Sequence, residues 1–191
     1  MSSLKNRIIG GPIHSRLLTL KTYPAGEDEI VVEGSLKDER FRAIYELSGR
    51  KRDRGVIHDM VIRLLVGGSP LRILEAEADM LQTPRGLCSE TGKSIRSIVG
   101  IEIRSGFGEQ VHRTIGGVKG CAHLTHLLTV LAQEALHGYW THKMQKPGAP
   151  PRSFEDIDGL PYLLNSCSLW REDGPLVKEI QAFIEEQRNK E

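Results

Sequence analysis

The residues best able to do chemistry fall in three places along the chain. His58 and Asp59 stand side by side within an aliphatic run, Cys88 follows Thr83-Pro84-Arg85-Gly86, and Cys121 and His123 follow Gly116-Gly-Val-Lys-Gly120. Imidazole, carboxylate and thiolate are the donors of protein zinc and iron sites. The expected metal ligands are therefore His58, Asp59, Cys88, Cys121 and His123, with Zn or Fe as the cofactor. Cys121 is expected in the first turn of a long helix, where unpaired N–H groups and the helix dipole attract negative charge. His58, Cys88 and Cys121 should converge at one end of a sheet. No close pairing such as C-x-x-C or H-E-x-x-H occurs, so placement and not spacing carries this reading.

The same groups admit two other functions. Without a metal, His58 or Asp59 can act as a general base while the backbone amides of residues 116–121 stabilise an oxyanion. That would be a lyase- or isomerase-type enzyme acting on a small organic substrate. A non-catalytic interaction module, with the long helix partly a dimer face, is the third reading. Each cysteine also has a bland explanation as a small buried hydrophobe, and Cys167, between Leu164 and Trp170, is read as core. His126, His137 and His142 lie off the apolar helix stripe and read as solvated, while His14 and His112 stay unassigned. The glycines at 116–120 lack the lysine and hydroxyl of a phosphate loop.

Period-two and period-3.6 patterns supply the elements that must position these groups. Residues 13–21 and 29–36 read as strands joined by the turn Pro24-Ala25-Gly26-Glu27-Asp28. Residues 37–54 are highly charged and read as an irregular excursion. Val56–Val66 is the clearest strand, with His58 sharing the face of Val56 and Met60 and Asp59 on the other. Leu74, Ala76, Ala78 and Met80 then alternate with Glu75, Glu77 and Asp79 on a return strand. After residue 86 the period changes. A helix capped by Ser89 carries Ile95, Ile98 and Val99, and residues 106–115 form a short helix with Phe107, Val111 and Ile115 inward. Leu124, Leu127, Leu128, Leu131, Ala132 and Ala135 form one face of a helix over 120–144, packed on the sheet. A Pro-rich loop at 145–160, a short apolar return at 165–170 and a helix over 174–188 with Val177, Ile180, Phe183 and Ile184 inward complete the chain. Strands first and helices second predict an α+β fold, an antiparallel sheet of at least four strands with helices on one face. Residues 13–178 are expected to form one domain, after an N-terminal arm at 1–12.

Composition removes several classes. There are 26 basic and 25 acidic residues, net +1, among 191, with no long run of one sign, so nucleic-acid binding has no electrostatic support. No apolar run approaches a membrane span, and the first residues carry no apolar signal region. Three widely separated cysteines make no disulfide framework. A cytoplasmic protein without membrane or nucleic-acid partners is expected, its partner a small molecule or a metal-delivery protein, with a homodimer left open.

Several phrases in order extend this reading: Ile57-His-Asp-Met60, Leu71–Met80, Leu87-Cys88, Ile98–Ile101, Gly106-Phe107, Gly116–Leu124, Asn165-Ser-Cys167 and Asp173-Gly-Pro175. Together with Ile13-His-Ser-Arg16 and Glu33-Gly34 they resemble a bacterial family, domain of unknown function 2889, over roughly residues 13–178. That resemblance implies no particular activity. A more distant one is to NifU-type iron–sulfur cluster scaffolds, in which a strand hairpin precedes a cysteine opening one helix and a cysteine and histidine opening a longer one. It implies a NifU/SufE-like layout with His58-Asp59, Cys88 and Cys121 with His123 at the ligand positions. The first ligand here is histidine, its glycine spacer is missing, and the final histidine and cysteine come in the opposite order. Those departures point away from cluster hand-off and toward a single-metal site or an iron–sulfur-related accessory.

Overall fold

The structure, a computed structural model, describes residues 3–157 and 159–189. Strand β1 (His14–Pro24) turns at 25–28 into β2 (Glu29–Arg40). The two-residue strands β3 (Ile44–Tyr45) and β4 (Lys51–Arg52) make a separate small ladder, and β5 (Gly55–Gly67) and β6 (Arg72–Gln82) close the main sheet. The sheet has four antiparallel strands in the order β1-β2-β5-β6, as the period-two runs predict.

One correction matters for the site. The stretch 37–54 is not wholly irregular, because β2 continues through Lys37, Asp38 and Glu39 to Arg40, paired on both sides. Its inward row is Ile30, Val32, Gly34, Leu36 and then Asp38, all buried. Alternation in a strand depends on backbone pleat, not on side-chain polarity, so the charged end of β2 keeps the same face as its apolar start.

The helices lie on that inward face. Residues Gly86–Ile98 form a long 3-10 stretch where an α-helix was expected. Arg85 and not Ser89 stands at its N-cap, the Ser89 hydroxyl donates to the Gly86 carbonyl, and Val99 is exposed. Helix α1 (Phe107–Ile115) buries Phe107, Val111 and Ile115 as predicted. Helix α2 (Ala122–Lys143) lays Leu124, Leu127, Leu128, Leu131 and Ala135 against β1, β2 and β5. Its apolar stripe is thus covered by the sheet and is not an open dimer face. Contact is close because two glycines permit it. A Cβ on Gly34 of β2 would come within 2.8 Å of the Leu131 side chain, and one on Gly138 of α2 within 2.3 Å of Thr22.

Residues 145–153 are irregular and mostly exposed. They lead through a short 3-10 turn (Phe154–Asp156) to α3 (Leu160–Leu163), whose Leu160 is buried. Helix α4 (Pro175–Arg188) buries Val177 and Ile184 but leaves Phe183 exposed. Cys167 is exposed, not core, since 165–169 runs as turns over the surface. His142 also departs from expectation, its Nε2 meeting the Gly26 carbonyl in the β1–β2 turn at 2.8 Å.

The outer face of the sheet is solvated. There Arg63 bridges three carboxylates across neighbouring strands, with Nε to Glu33 at 2.8 Å and Nη1 to Asp79 at 2.7 Å and Glu77 at 3.2 Å. A shallow 630 Å³ depression is lined by Val31, Arg63, Leu65, Glu75 and Arg96, with no histidine in its wall.

Leu131→Ala is expected to cost about 2–5 kcal/mol in urea unfolding, the range for truncating a buried leucine. Leu17→Ala, at a 61% exposed outer-face position, should stay within about 0.5 kcal/mol of wild type. Equal losses at the two positions would mean that α2 does not pack as described.

Candidate functional site

Antiparallel register places three polar side chains abreast at one end of the sheet. Arg16 of β1 is the direct partner of Asp38 on β2, and Asp38 is the direct partner of His58 on β5. All three project to the helix side, beyond Leu18, Leu36 and Met60. A bulge follows at once, between Asp38 and Glu39, so regular pairing slips just where the polar row begins. Helix α2 starts above this row and sets His123 over His58, ring centroids 3.9 Å apart and planes inclined by 34°.

Asp38 is the centre of the cluster. Its side chain is 3% exposed, and both oxygens accept from the Arg16 fork, Oδ1 from Nε and Oδ2 from Nη2, each at 2.7 Å. Oδ2 also meets His58 Nδ1 at 3.0 Å and lies 3.6 Å from His123 Nε2. The guanidinium holds the Asp38 carboxyl below its ordinary range against the opposing effect of burial, with smaller help from His58 and His123. An ionised carboxylate can only accept, so the proton in the Asp38–His58 contact sits on Nδ1 of His58. That leaves the His58 Nε2 as the reactive edge of the ring.

His123 also has a lowered pKa, which here favours the neutral form. Burial, then the positive potential of His58 and Arg16, holds its pKa below the ordinary histidine value, and the Asp38 charge only partly offsets this. The rings are in contact, so positive charge on His58 would oppose positive charge on His123. His123 Nδ1 lies 3.7 Å from the sulfur of Cys121. Cys121 is the N-cap of α2, one position before the first turn where it was expected, and its carbonyl accepts from both the Thr125 amide and hydroxyl.

Of the residues singled out from sequence, the fold brings His58 and His123 into contact and sets Cys121 beside His123. Asp59 pairs with Lys37 on the opposite face of the sheet, as alternation requires, and takes no part in the cluster. Cys88 is half-buried in the 3-10 stretch, its carbonyl accepting from Thr91. Donor atoms of Asp38, His58 and His123 all lie within 4.8 Å of one another, and that set includes neither Cys88, Cys121 nor Asp59. Asp38 and Arg16 were not singled out from sequence. The available signal was an inward-facing charge of each sign: Asp38 continues the Ile30–Leu36 alternation, and Arg16 precedes Leu18 and Leu20 at the same spacing.

A family model for proteins of unknown function (DUF2889) matches residues 14–137, well over half of the chain. The chain belongs to that family. The matched segment runs from the start of β1 into α2 and so contains Arg16, Asp38, His58, Cys121 and His123. No curated protein and no solved structure gives a match, so the NifU-like layout gains no support from comparison.

Both depressed pKa values act on stability in the same direction. Below its ordinary value near 6.5, His123 gains a proton more readily in the unfolded chain, and stability falls as pH drops toward its folded pKa. A second loss follows at acid pH, as Asp38 is protonated below the ordinary value of 3.8. Thermal unfolding of wild type between pH 7.5 and 5 should therefore show a decline that His123→Gln flattens. An unchanged profile in that variant would remove His123 from the coupled cluster.

Proposed function

We propose that the Arg16–Asp38–His58–His123 cluster is the proton-transfer centre of an enzyme acting on a small organic substrate, in reactions of the lyase or isomerase type. In this reading His58 Nε2 is the general base, Asp38 orients the ring and stabilises its charged form, and Arg16 keeps Asp38 ionised. The proton taken up on His58 Nε2 is returned from there, while His123, neutral at neutral pH, holds the substrate oxygen through its ring N–H. The supporting observation is the Arg16 fork on Asp38. With both oxygens already accepting from a guanidinium, the carboxylate is arranged to position an imidazole, and a divalent cation on the same oxygen would stand close to a fixed positive charge. Three unpaired cysteines suit a reducing compartment, which supports a cytoplasmic location. Among the described residues no helix is long and apolar enough to cross a membrane.

A second reading is supported by the donor set itself. Two imidazoles and one carboxylate are the ligands of many mononuclear iron and zinc sites, and the Asp38–His58 and Asp38–His123 separations of 3.0 and 3.6 Å suit three ligands of one small ion. In that reading Zn or Fe would be held by Asp38, His58 and His123, with Arg16 behind the carboxylate and Cys121 beside the second imidazole. The metal would supply Lewis acidity.

Two measurements separate these readings. Incubating the protein in D₂O with a panel of small hydroxy, keto and aromatic acids should reveal enzyme-dependent exchange of a substrate C–H, followed by NMR. His58→Asn should lower that rate by about 10²–10⁴-fold, the usual contribution of a general base. Elemental analysis after chelator treatment gives the opposing outcome: stoichiometric zinc or iron that is lost in His58→Asn, with exchange restored only by the metal, would replace the proton-transfer reading with the metal one.

A further inference from the structure

Beyond Asp38 and His58 the same strand ends run into a second polar feature. Arg40, two residues along β2 from Asp38, lines a pocket of about 340 Å³ with Ile44, Arg52, Val56, Ile57 and Arg85. Its volume falls within the range of small-molecule sites. Val56 and Ile57 immediately precede His58, and the β3–β4 ladder forms another wall. Charges in this pocket are unevenly satisfied. Arg52 is paired with Glu46 at 2.8 Å, and Asp53 with Lys51 at 3.2 Å. Arg40 has no carboxylate partner among the described residues. Its Nη2 donates to the Asp53 backbone carbonyl at 2.8 Å, while its Nε is buried with no acceptor. Arg85, on the exposed lip, has a guanidinium without any partner among the described residues.

The Arg40 Nε is closed off from solvent, so what Arg40 offers a ligand is the rest of its guanidinium, a positive charge on the pocket wall with no carboxylate partner among the described residues. A carboxylate answers that charge, since hydrogen bonds between a guanidinium and a carboxylate are among the strong ones. Part of the remaining wall, Ile44, Val56 and Ile57, offers apolar surface to the body of such a molecule, beside the polar Glu46, Gln82 and Thr83. We infer that this pocket binds a small amphipathic carboxylic acid, its carboxylate between Arg40 and Arg85 and its apolar body on Ile44, Val56 and Ile57. The inference gives a substrate class to the proton-transfer reading above and rests on it for what happens to the bound acid. Recognition itself needs neither histidine.

The test is calorimetric titration of the whole chain with benzoate and 3-phenylpropionate, with benzamide and sulfate as controls. Both acids should bind. Benzamide, which has the ring without the charge, and sulfate, which has the charge without the ring, should each bind about tenfold or more weakly. Arg40→Gln should weaken the acids by about tenfold or more, and Arg85→Gln, at the exposed lip, by a smaller factor. His58→Asn should keep the affinity while losing proton exchange, so failure of the binding inference and failure of the proton-transfer reading give different results. Circular dichroism would show whether Arg40→Gln folds; if it does not, Arg85→Gln decides. Benzamide or sulfate binding as well as the acids, affinity unchanged in a folded Arg40→Gln or in Arg85→Gln, or no response of the folded wild-type chain to either acid at millimolar concentration would each overturn the assignment.

Discussion

An ionised carboxylate inside a protein must be compensated, and Asp38 meets that requirement through three neighbours at once. Arg16 supplies the charge and two of the hydrogen bonds, His58 adds a third, and His123 closes the remaining side. Desolvating a lone carboxylate would cost several kcal/mol. The pairing of β1, β2 and β5 at this level is therefore tied to the polar row as well as to the apolar one. A one-residue slip of β1 against β2 would turn Arg16 to the outer face and leave Asp38 uncompensated. The cluster thus helps to specify the register that creates it.

The position of α2 follows from a different constraint. Its buried leucines need a flat apolar floor, which Ile30, Val32, Leu36, Ile62 and Leu64 provide. Gly34 and Gly138 let the helix sit close enough to fill that space without a void. Helix length and strand length then leave the start of α2 over the polar ends of the strands, so that His123 meets His58 where the apolar floor stops. The result is a half-open site. The side chains of His58 and His123 are 15% and 26% exposed, enough for a small molecule to reach a ring edge, while Asp38 beneath them is shielded.

Chemically, the arrangement has one fixed ion pair and two imidazoles in contact. Arg16 and Asp38 cancel in charge. Protonating one ring opposes protonating the other, because they lie in contact. His58 Nδ1 is held by the Asp38 carboxylate, whereas burial, then the potential of His58 and Arg16, keeps the His123 pKa below the ordinary histidine value. In the proposed mechanism these different surroundings make His58 the base and His123 its neutral partner.

Local periodicity was sufficient for most of the architecture. Alternation over 13–21, 29–36 and 56–66, the return strand near 71–80 and the leucine stripe of 124–135 are properties of short segments, and each recurs in the structure because one face of it must be buried. His58 and His123 were visible for the same reason, as polar residues at the edge of apolar faces. Beyond this the sequence was silent or misleading. The charged stretch 37–40 looked irregular because its polarity hides an alternation that its strand partners preserve, and Asp38 was lost with it. Cys88 and Asp59 looked equivalent to Cys121 in chemistry, but a one-dimensional pattern carries no distance between elements. Only pairing across 22 residues from Arg16 to Asp38 and 20 from Asp38 to His58, with a helix laid over them, decided which side chains share a site. Residue type and spacing determined the faces; strand register and helix docking determined the neighbours, because those depend on packing between segments that are distant in the chain.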